Sequence, residues 1–137
     1  MNTTMDKLLI DTCIVSYLLK KHPLAQPYLP LLQGKLLYLS FMTVAELFRW
    51  AEQHAWGETR LKQLKYTIQN YTVLHSDSNI CWYWAKVRSI KGRPMPEADA
   101  WIAATALRYD LPLLTHNVKD FEHLQSVGLH LISVPSS

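Results

Sequence analysis

The chain has 137 residues, with 14 lysines and arginines against 11 aspartates and glutamates, for a formal net charge of +3 at pH 7. That length suits one domain that folds without a disulfide or structural metal, and 49% hydrophobic with 18% charged residues excludes a disordered chain. The mild basic excess permits a polyanionic partner without requiring one, and the two cysteines, Cys13 and Cys81, form neither a disulfide framework nor a CxxC centre.

Lys7-Leu8-Leu9-Ile10 reads as a buried strand that ends at Asp11-Thr12, with a helix starting at once and running to Lys20-Lys21. Asp11 interrupts the apolar run, so no signal-peptide core forms. The longest largely apolar stretch without a formal charge, Leu36 to Ala45, is too short to cross a membrane. A cytoplasmic chain with no membrane partner is expected.

Leu24 to Gln33 reads as a second short helix closed by Gly34, and Leu36 to Leu39 as a second strand. Val44, Leu47, Phe48, Ala51 and Ala55 fall on one face of a long helix that ends at Gly57. Leu61, Leu64 and Ile68 mark a further helix, and Tyr71 to Leu74 a third strand. Ile80, Trp84 and Val87 share a helix face, residues 92–96 form a loop, and Glu97 to Tyr109 is helical. Leu113 to Thr115 and Leu129 to Val134 are the last strands, and the segment from Val134 to Ser137 is expected to fray. The domain is therefore taken as residues 1–134 with a tail at 135–137, and either Met1 or Met5 can serve as the start. Continuously apolar strands alternating with helices predict an α/β sandwich with a mostly parallel sheet. In such sheets functional groups gather at the carboxyl ends of strands, where Asp11 and Thr115 fall.

Four acidic residues stand out, and each also has a local explanation. Asp11 suits a helix N-cap, and Glu46 stands three residues after Thr43 at capping-box spacing. Asp99 heads a helix face continued by Ile102, Ala103 and Ala106, where a carboxylate is costly unless it is paired, binds metal or favours the helix dipole. Asp120, with Asn117, suits a turn leading into a short helix.

Taken together, Leu8-Leu9-Ile10-Asp11-Thr12, Thr43-Val44-Ala45-Glu46-Leu47, Asp99-Ala100-Trp101-Ile102-Ala103-Ala104 and Thr115-His116-Asn117-Val118-Lys119-Asp120-Phe121 resemble, in order and spacing, a PIN domain of the VapC toxin type. The resemblance spans nearly the whole chain. It implies a three-layer α/β/α fold with a central mostly parallel sheet. It further implies a metal-dependent endoribonuclease, the toxin of a toxin–antitoxin pair, that cleaves structured RNA such as tRNA or rRNA to arrest translation. By the same resemblance Asp11, Glu46, Asp99 and Asp120 are the catalytic, metal-binding carboxylates. Thr12, Thr115 and Asn117 support the site, the cofactor is Mg²⁺ or Mn²⁺, and the partners are RNA, a cognate antitoxin and a second copy of the chain. His116 is assigned no role.

The chemistry agrees with that assignment, since Mg²⁺ and Mn²⁺ prefer hard oxygen ligands and assist phosphodiester hydrolysis. Lys86, Arg88, Lys91 and Arg93, just before the Asp99 helix, read either as a solvated helix end or as phosphate contacts. Trp50, Trp56, Trp82, Tyr83, Trp84 and Trp101 divide between core, interface and base-stacking roles, with Trp84 on the core face. The histidines carry no HExxH or paired Cys/His spacing, and a zinc site at His116 and His123 is not expected. Three other readings stay open: an RNA-processing nuclease outside a toxin pair, a non-catalytic RNA-binding scaffold, and a phosphotransferase with Asp11 as nucleophile. The haloacid-dehalogenase pattern for the last needs a second Asp where Cys13 stands.

Overall fold

The computed structural model describes residues 6–135; Met1, Met5, Ser136 and Ser137, where the alternative starts and most of the expected tail fall, lie outside the described residues. In chain order the elements are β1 (Lys7–Ile10), α1 (Thr12–Leu19), a 3₁₀ segment (Pro23–Tyr28), α2 (Leu29–Leu32), β2 (Leu36–Ser40), α3 (Phe41–Gln53) and α4 (Glu58–Ile68). β3 (Thr72–Leu74), α5 (Ser78–Arg88), α6 (Glu97–Tyr109), β4 (Leu113–Leu114), α7 (Val118–Phe121), a second 3₁₀ segment (Glu122–Val127) and β5 (Leu131–Ile132) follow.

The described strands pair in the order β3-β2-β1-β4-β5, and every pairing is parallel. Side chains alternate across a strand, so neighbours point to opposite faces. Leu9 and Leu113 enter one core with Val87, Ala103 and Phe121. Leu8, Ile10 and Leu114 enter the other with Ile14, Tyr28, Leu47 and Leu64. One face of the sheet thus carries α5 and α6, and the other carries α1, α3 and α4. The parallel sheet is the one the apolar strands predicted, and the three-layer α/β/α arrangement is the one the family resemblance implied. A fully buried leucine or isoleucine contributes roughly 1.5–3 kcal/mol, so even two-residue β4 is anchored by its buried Leu113 and Leu114.

Some elements depart from the expectation. The segment after α1 is a 3₁₀ turn and one α-turn, because Pro27 and Pro30 lack the amide protons that a continuous helix needs. On α3 the buried positions are Thr43, Leu47 and Ala51, whereas Phe48 is exposed and Ala55 lies beyond the helix at φ 47°. The last strand is confined to Leu131–Ile132. Val134, expected to fray, packs on the second core, and Pro135 lines a cleft. Among the described residues no helix is long and apolar enough to cross a membrane.

Candidate active site

The strand order sets the position of the site. From β1 the chain adds β2 and β3 on one side, then returns to add β4 and β5 on the other. The carboxyl ends of β1 and β4 therefore flank the point where the winding reverses, which leaves a crevice in doubly wound sheets. Ile10 is in register with Leu114, and the Asp11 amide donates to the Leu114 carbonyl at 2.9 Å. Asp11 and Thr115, 104 positions apart, consequently stand side by side.

Asp11 is 4% exposed. Its Oδ2 accepts a 2.7 Å hydrogen bond from Thr115 Oγ1 and a 3.4 Å contact from Cys13 Sγ, and its Oδ1 accepts from the Thr12 amide at 2.8 Å. Asp11 is thus the N-cap of α1, as its local sequence suggested, and both its oxygens are oriented. Burial raises its pKa, the hydrogen bonds to Thr115, Thr12 and Cys13 oppose that rise, and the charge of Asp120 adds to it. Burial also pushes the Cys13 thiol up to about 12. Cys13 is therefore a neutral donor to Asp11 and offers no second acid to a phosphotransferase.

Glu46 does not close a capping box. The N-cap of α3 is Ser40, whose Oγ accepts from the Met42 amide at 3.1 Å. Thr43 already lies in the first turn, one helical step before Glu46 on the face toward α1. Thr12 Oγ1 donates to Glu46 Oε1 at 2.8 Å and lies 2.9 Å from Thr43 Oγ1. A hydroxyl has one proton. Thr12 spends its proton on Glu46, so Thr43 is the donor to Thr12. Thr43 is thus a supporting residue whose spacing suggested only a cap. Burial raises the pKa of Glu46, the bond from Thr12 opposes the rise, Asp11 adds to it, and Arg49 lowers it.

Asp99 stands in the first turn of α6. Burial pushes its pKa up to about 7, with further contributions from the charges of Asp11, Asp120 and Glu46. These interactions join all four sequence-predicted carboxylates in one electrostatic neighbourhood. Asp120 reaches it from α7, a short helix preceded by Asn117. The Asn117 side chain makes no cap bond, but the Asn117 backbone amide donates to Thr115 Oγ1 at 3.0 Å. The Thr115 hydroxyl therefore ties the strand end to both Asp11 and the α7 turn. Thr115→Val removes the donor to a buried carboxylate and should cost roughly 1–3 kcal/mol. Urea denaturation would measure this, with Thr115→Ser retaining most of the stability; equal losses in the two variants would contradict the role of the hydroxyl.

The donors suit a hard divalent cation. They are oxygens throughout, and the charges acting on Asp99 are all negative. Among the described residues no group of three or more His, Cys, Asp or Glu side chains is placed so that it could hold a metal ion. Mg²⁺ commonly binds through one or two carboxylates and retains several waters, so it does not require three protein ligands.

Lys86 lies over Trp82 and Tyr83, and Arg88 over Trp84, all on α5. Arg93 Nη2 is 3.4 Å from His123 Nδ1, and Lys91 is exposed in the loop before α6. Trp84 packs on the first core and stacks on Trp101 at 4.9 Å, and Phe41 meets Trp101 edge-on. His116 contacts Tyr28 and Tyr17, and His123 contacts Arg93. Tyr28 has no signal in the sequence, because a lone aromatic between prolines does not reveal a partner 88 positions away.

Known proteins bear on this geometry. The family model for the PIN domain matches residues 8–126. Ribonuclease VapC1 of Haemophilus influenzae (strain R2866) is 34% identical over 121 residues, covering 85% of this chain and 90% of the relative. The tRNA(fMet)-specific endonuclease VapC of Shigella flexneri is 28% identical over 124 residues, covering 88% of this chain and 93% of the relative. Among solved structures, VapBC-1 from nontypeable Haemophilus influenzae superposes with a TM-score of 0.75 at 30% identity, covering 93% of this chain and 97% of that one. With the sheet order, the acidic crevice and these matches in agreement, the chain belongs to the PIN-domain family, on its VapC branch.

Proposed function

We propose that the chain is a Mg²⁺- or Mn²⁺-dependent endoribonuclease, the toxin of a toxin–antitoxin pair, acting on structured RNA of the tRNA or rRNA class. The observation that carries this reading is the crevice itself: burial, with the charges of Asp11, Asp120 and Glu46 added to it, pushes Asp99 up to about 7 there. A folded chain keeps such strain where a ligand relieves it. The names of the Haemophilus and Shigella relatives support RNA as substrate, and the VapBC structure supports an antitoxin partner.

Asp11, Glu46, Asp99 and Asp120 would hold the cation. Once bound, it supplies positive charge for the scissile phosphate and eases ionisation of the attacking water. The protein's part is preorganisation. Thr115 and the Thr12 amide fix the Asp11 carboxylate, and the Thr43–Thr12 pair fixes Glu46. The α6 N-terminus offers partial positive charge beside Asp99. A second copy of the chain is a further proposed partner, and the 64% exposed Trp82 on α5 offers apolar surface for it.

Purified, antitoxin-free protein should cut total bacterial RNA into discrete fragments in Mg²⁺ or Mn²⁺ and leave it intact in EDTA. Intact RNA in every lane would overturn the activity. Arg88 and Lys91 are proposed to contact phosphates on the rim. Changing both to Ala should reduce the slope of log affinity against log salt by about 1–2, and an unaltered slope would remove them from the interface.

A further inference from the structure

α1 and α3 pack side by side, and the acidic site stands at one end of the seam between them, where Thr12 meets Thr43 and Glu46. At the other end lies a cleft of about 240 Å³ lined by Lys20, Trp50, His54, Trp56 and Arg60. A smaller recess shares the lysine, both indoles and the arginine with it, and reaches Ser16 of α1 and Leu47 of α3 between the two ends. Arg49 stands exposed on α3, three positions after Glu46, and its charge reaches that carboxylate. α1 is 8 residues long, so the seam runs for about 12 Å.

The lining of the cleft is selective. It combines cations and a histidine with two indoles, and among the described residues that line it there is neither a carboxylate nor an aliphatic side chain. Both indoles pack on the second core, which holds their rings in place. The Arg60 guanidinium lies 4.2 Å from the Trp56 ring centroid, a close stack, whereas the Lys20 ammonium stands 5.8 Å from that of Trp50. Stacking fixes the plane of a guanidinium and leaves its in-plane N–H groups as a fork for a phosphate. Among the described residues Arg60 forms no ion pair that would occupy that fork. Lys20 is an exposed, loosely held cover, which a flat base can displace from Trp50.

Basic side chains interleaved with flat aromatic surfaces match a single nucleic-acid strand, with charge for the backbone and a platform for a base. The acidic crevice itself repels a polyanion, so affinity for RNA has to come from outside it. We propose that the cleft is a subsite for a single-stranded segment of the RNA substrate, with Arg60 holding a phosphate and Trp50 stacking on the base beside it. A stacked strand advances about 3.4 Å per nucleotide, which puts this subsite about three to four nucleotides from the scissile bond. The inference rests on the nuclease reading and adds to it a place where the substrate strand is held away from the cut.

The test is binding of a labelled single-stranded oligoribonucleotide of mixed sequence in EDTA, read by fluorescence anisotropy at several salt concentrations. Trp50→Leu, which keeps the apolar contact and loses the platform, should weaken binding roughly 5-fold or more, and Trp50→Phe should retain most of it. Arg60→Gln should lower the slope of log affinity against log salt by about 0.7, the counterion release of one single-strand phosphate. Arg60→Lys, which keeps the charge and loses the fork, should restore the slope but not the full affinity. Circular dichroism melts check that each variant is folded. Equal losses in Trp50→Leu and Trp50→Phe would overturn the stacking contact and with it the proposal. Unaltered affinity and slope in Trp50→Leu and Arg60→Gln would overturn the subsite and leave the cleft to a protein partner. The unmodified protein separates the two levels. If it cuts RNA in Mg²⁺ while the variants bind as it does, this inference alone fails; if it neither binds nor cuts RNA, the nuclease reading fails with it.

Discussion

Replacing Asp99 by asparagine will abolish RNA cleavage and, in the same protein, raise stability in the absence of metal. The two effects have one origin. The Asp99 carboxyl has a pKa of about 7 in the folded chain against an ordinary value of 3.8. The folded state therefore binds this proton more tightly than the unfolded state. Below the ordinary value both states are protonated and the penalty is absent. Stability then falls as pH rises toward 7, and above it the whole penalty applies. A shift of this size corresponds to roughly 4 kcal/mol, and solvent screening at a partly exposed carboxylate reduces it to about 2 kcal/mol. Asparagine carries no charge at any pH, so the variant should melt several degrees higher than the unmodified protein in EDTA at pH 8. The difference should shrink toward pH 5. Cleavage should drop by a factor on the order of 10²–10³ or more, the cost of losing one preorganised charge where the reacting phosphate sits. Melting curves in EDTA at several pH values, beside RNA digestion in Mg²⁺, would check both. A variant that is less stable at pH 8, or that cleaves at an undiminished rate, would contradict the assignment of Asp99 to the acidic centre.

Saturating Mg²⁺ or Mn²⁺ should raise the melting temperature of the unmodified protein by roughly 8–11 °C at a concentration about one hundred times the dissociation constant. A cation that binds only the folded cluster contributes about 2.7 kcal/mol under that condition. It also relieves the repulsion that metal-free Asp11, Glu46 and Asp99 experience. Salt screening would give part of this relief without any site, so the comparison belongs at matched ionic strength with NaCl. Asp11→Asn should reduce the response most, because Asp11 is the carboxylate that protein groups orient through both oxygens. If the melting temperature is the same with and without divalent metal at equal ionic strength, the cluster is no cation site.

The two measurements separate the readings that the sequence left open. A scaffold of the same fold can lose Asp99 and gain stability, but it has no cleavage to lose. A nuclease outside a toxin pair passes both tests. The antitoxin partner is then decided by whether the product of a neighbouring small gene binds the chain and suppresses digestion.

Much of this protein is determined by local sequence. α6 occupies the predicted span from Glu97 to Tyr109, because its alanines favour helix and Pro96 suits only the entry. β1 ends where an apolar run meets Asp11, and the four acidic motifs identify the family because each keeps its internal spacing. Periodicity and spacing are short-range properties, and they decide which residues turn inward. They do not decide which inward residues meet. The reversal of strand order that seats Asp11 beside Thr115 belongs to the sheet as a whole. So does the approach of α1 to α3, which converts a Thr43–Glu46 spacing that suggests a helix cap into support for a carboxylate from Thr12. The Tyr28–His116 bond is the extreme case, joining a 3₁₀ turn to a strand end across 88 positions. Such contacts follow from burial: once the sheet closes over them, polar groups must find partners among whatever the topology brings near, however distant in the chain.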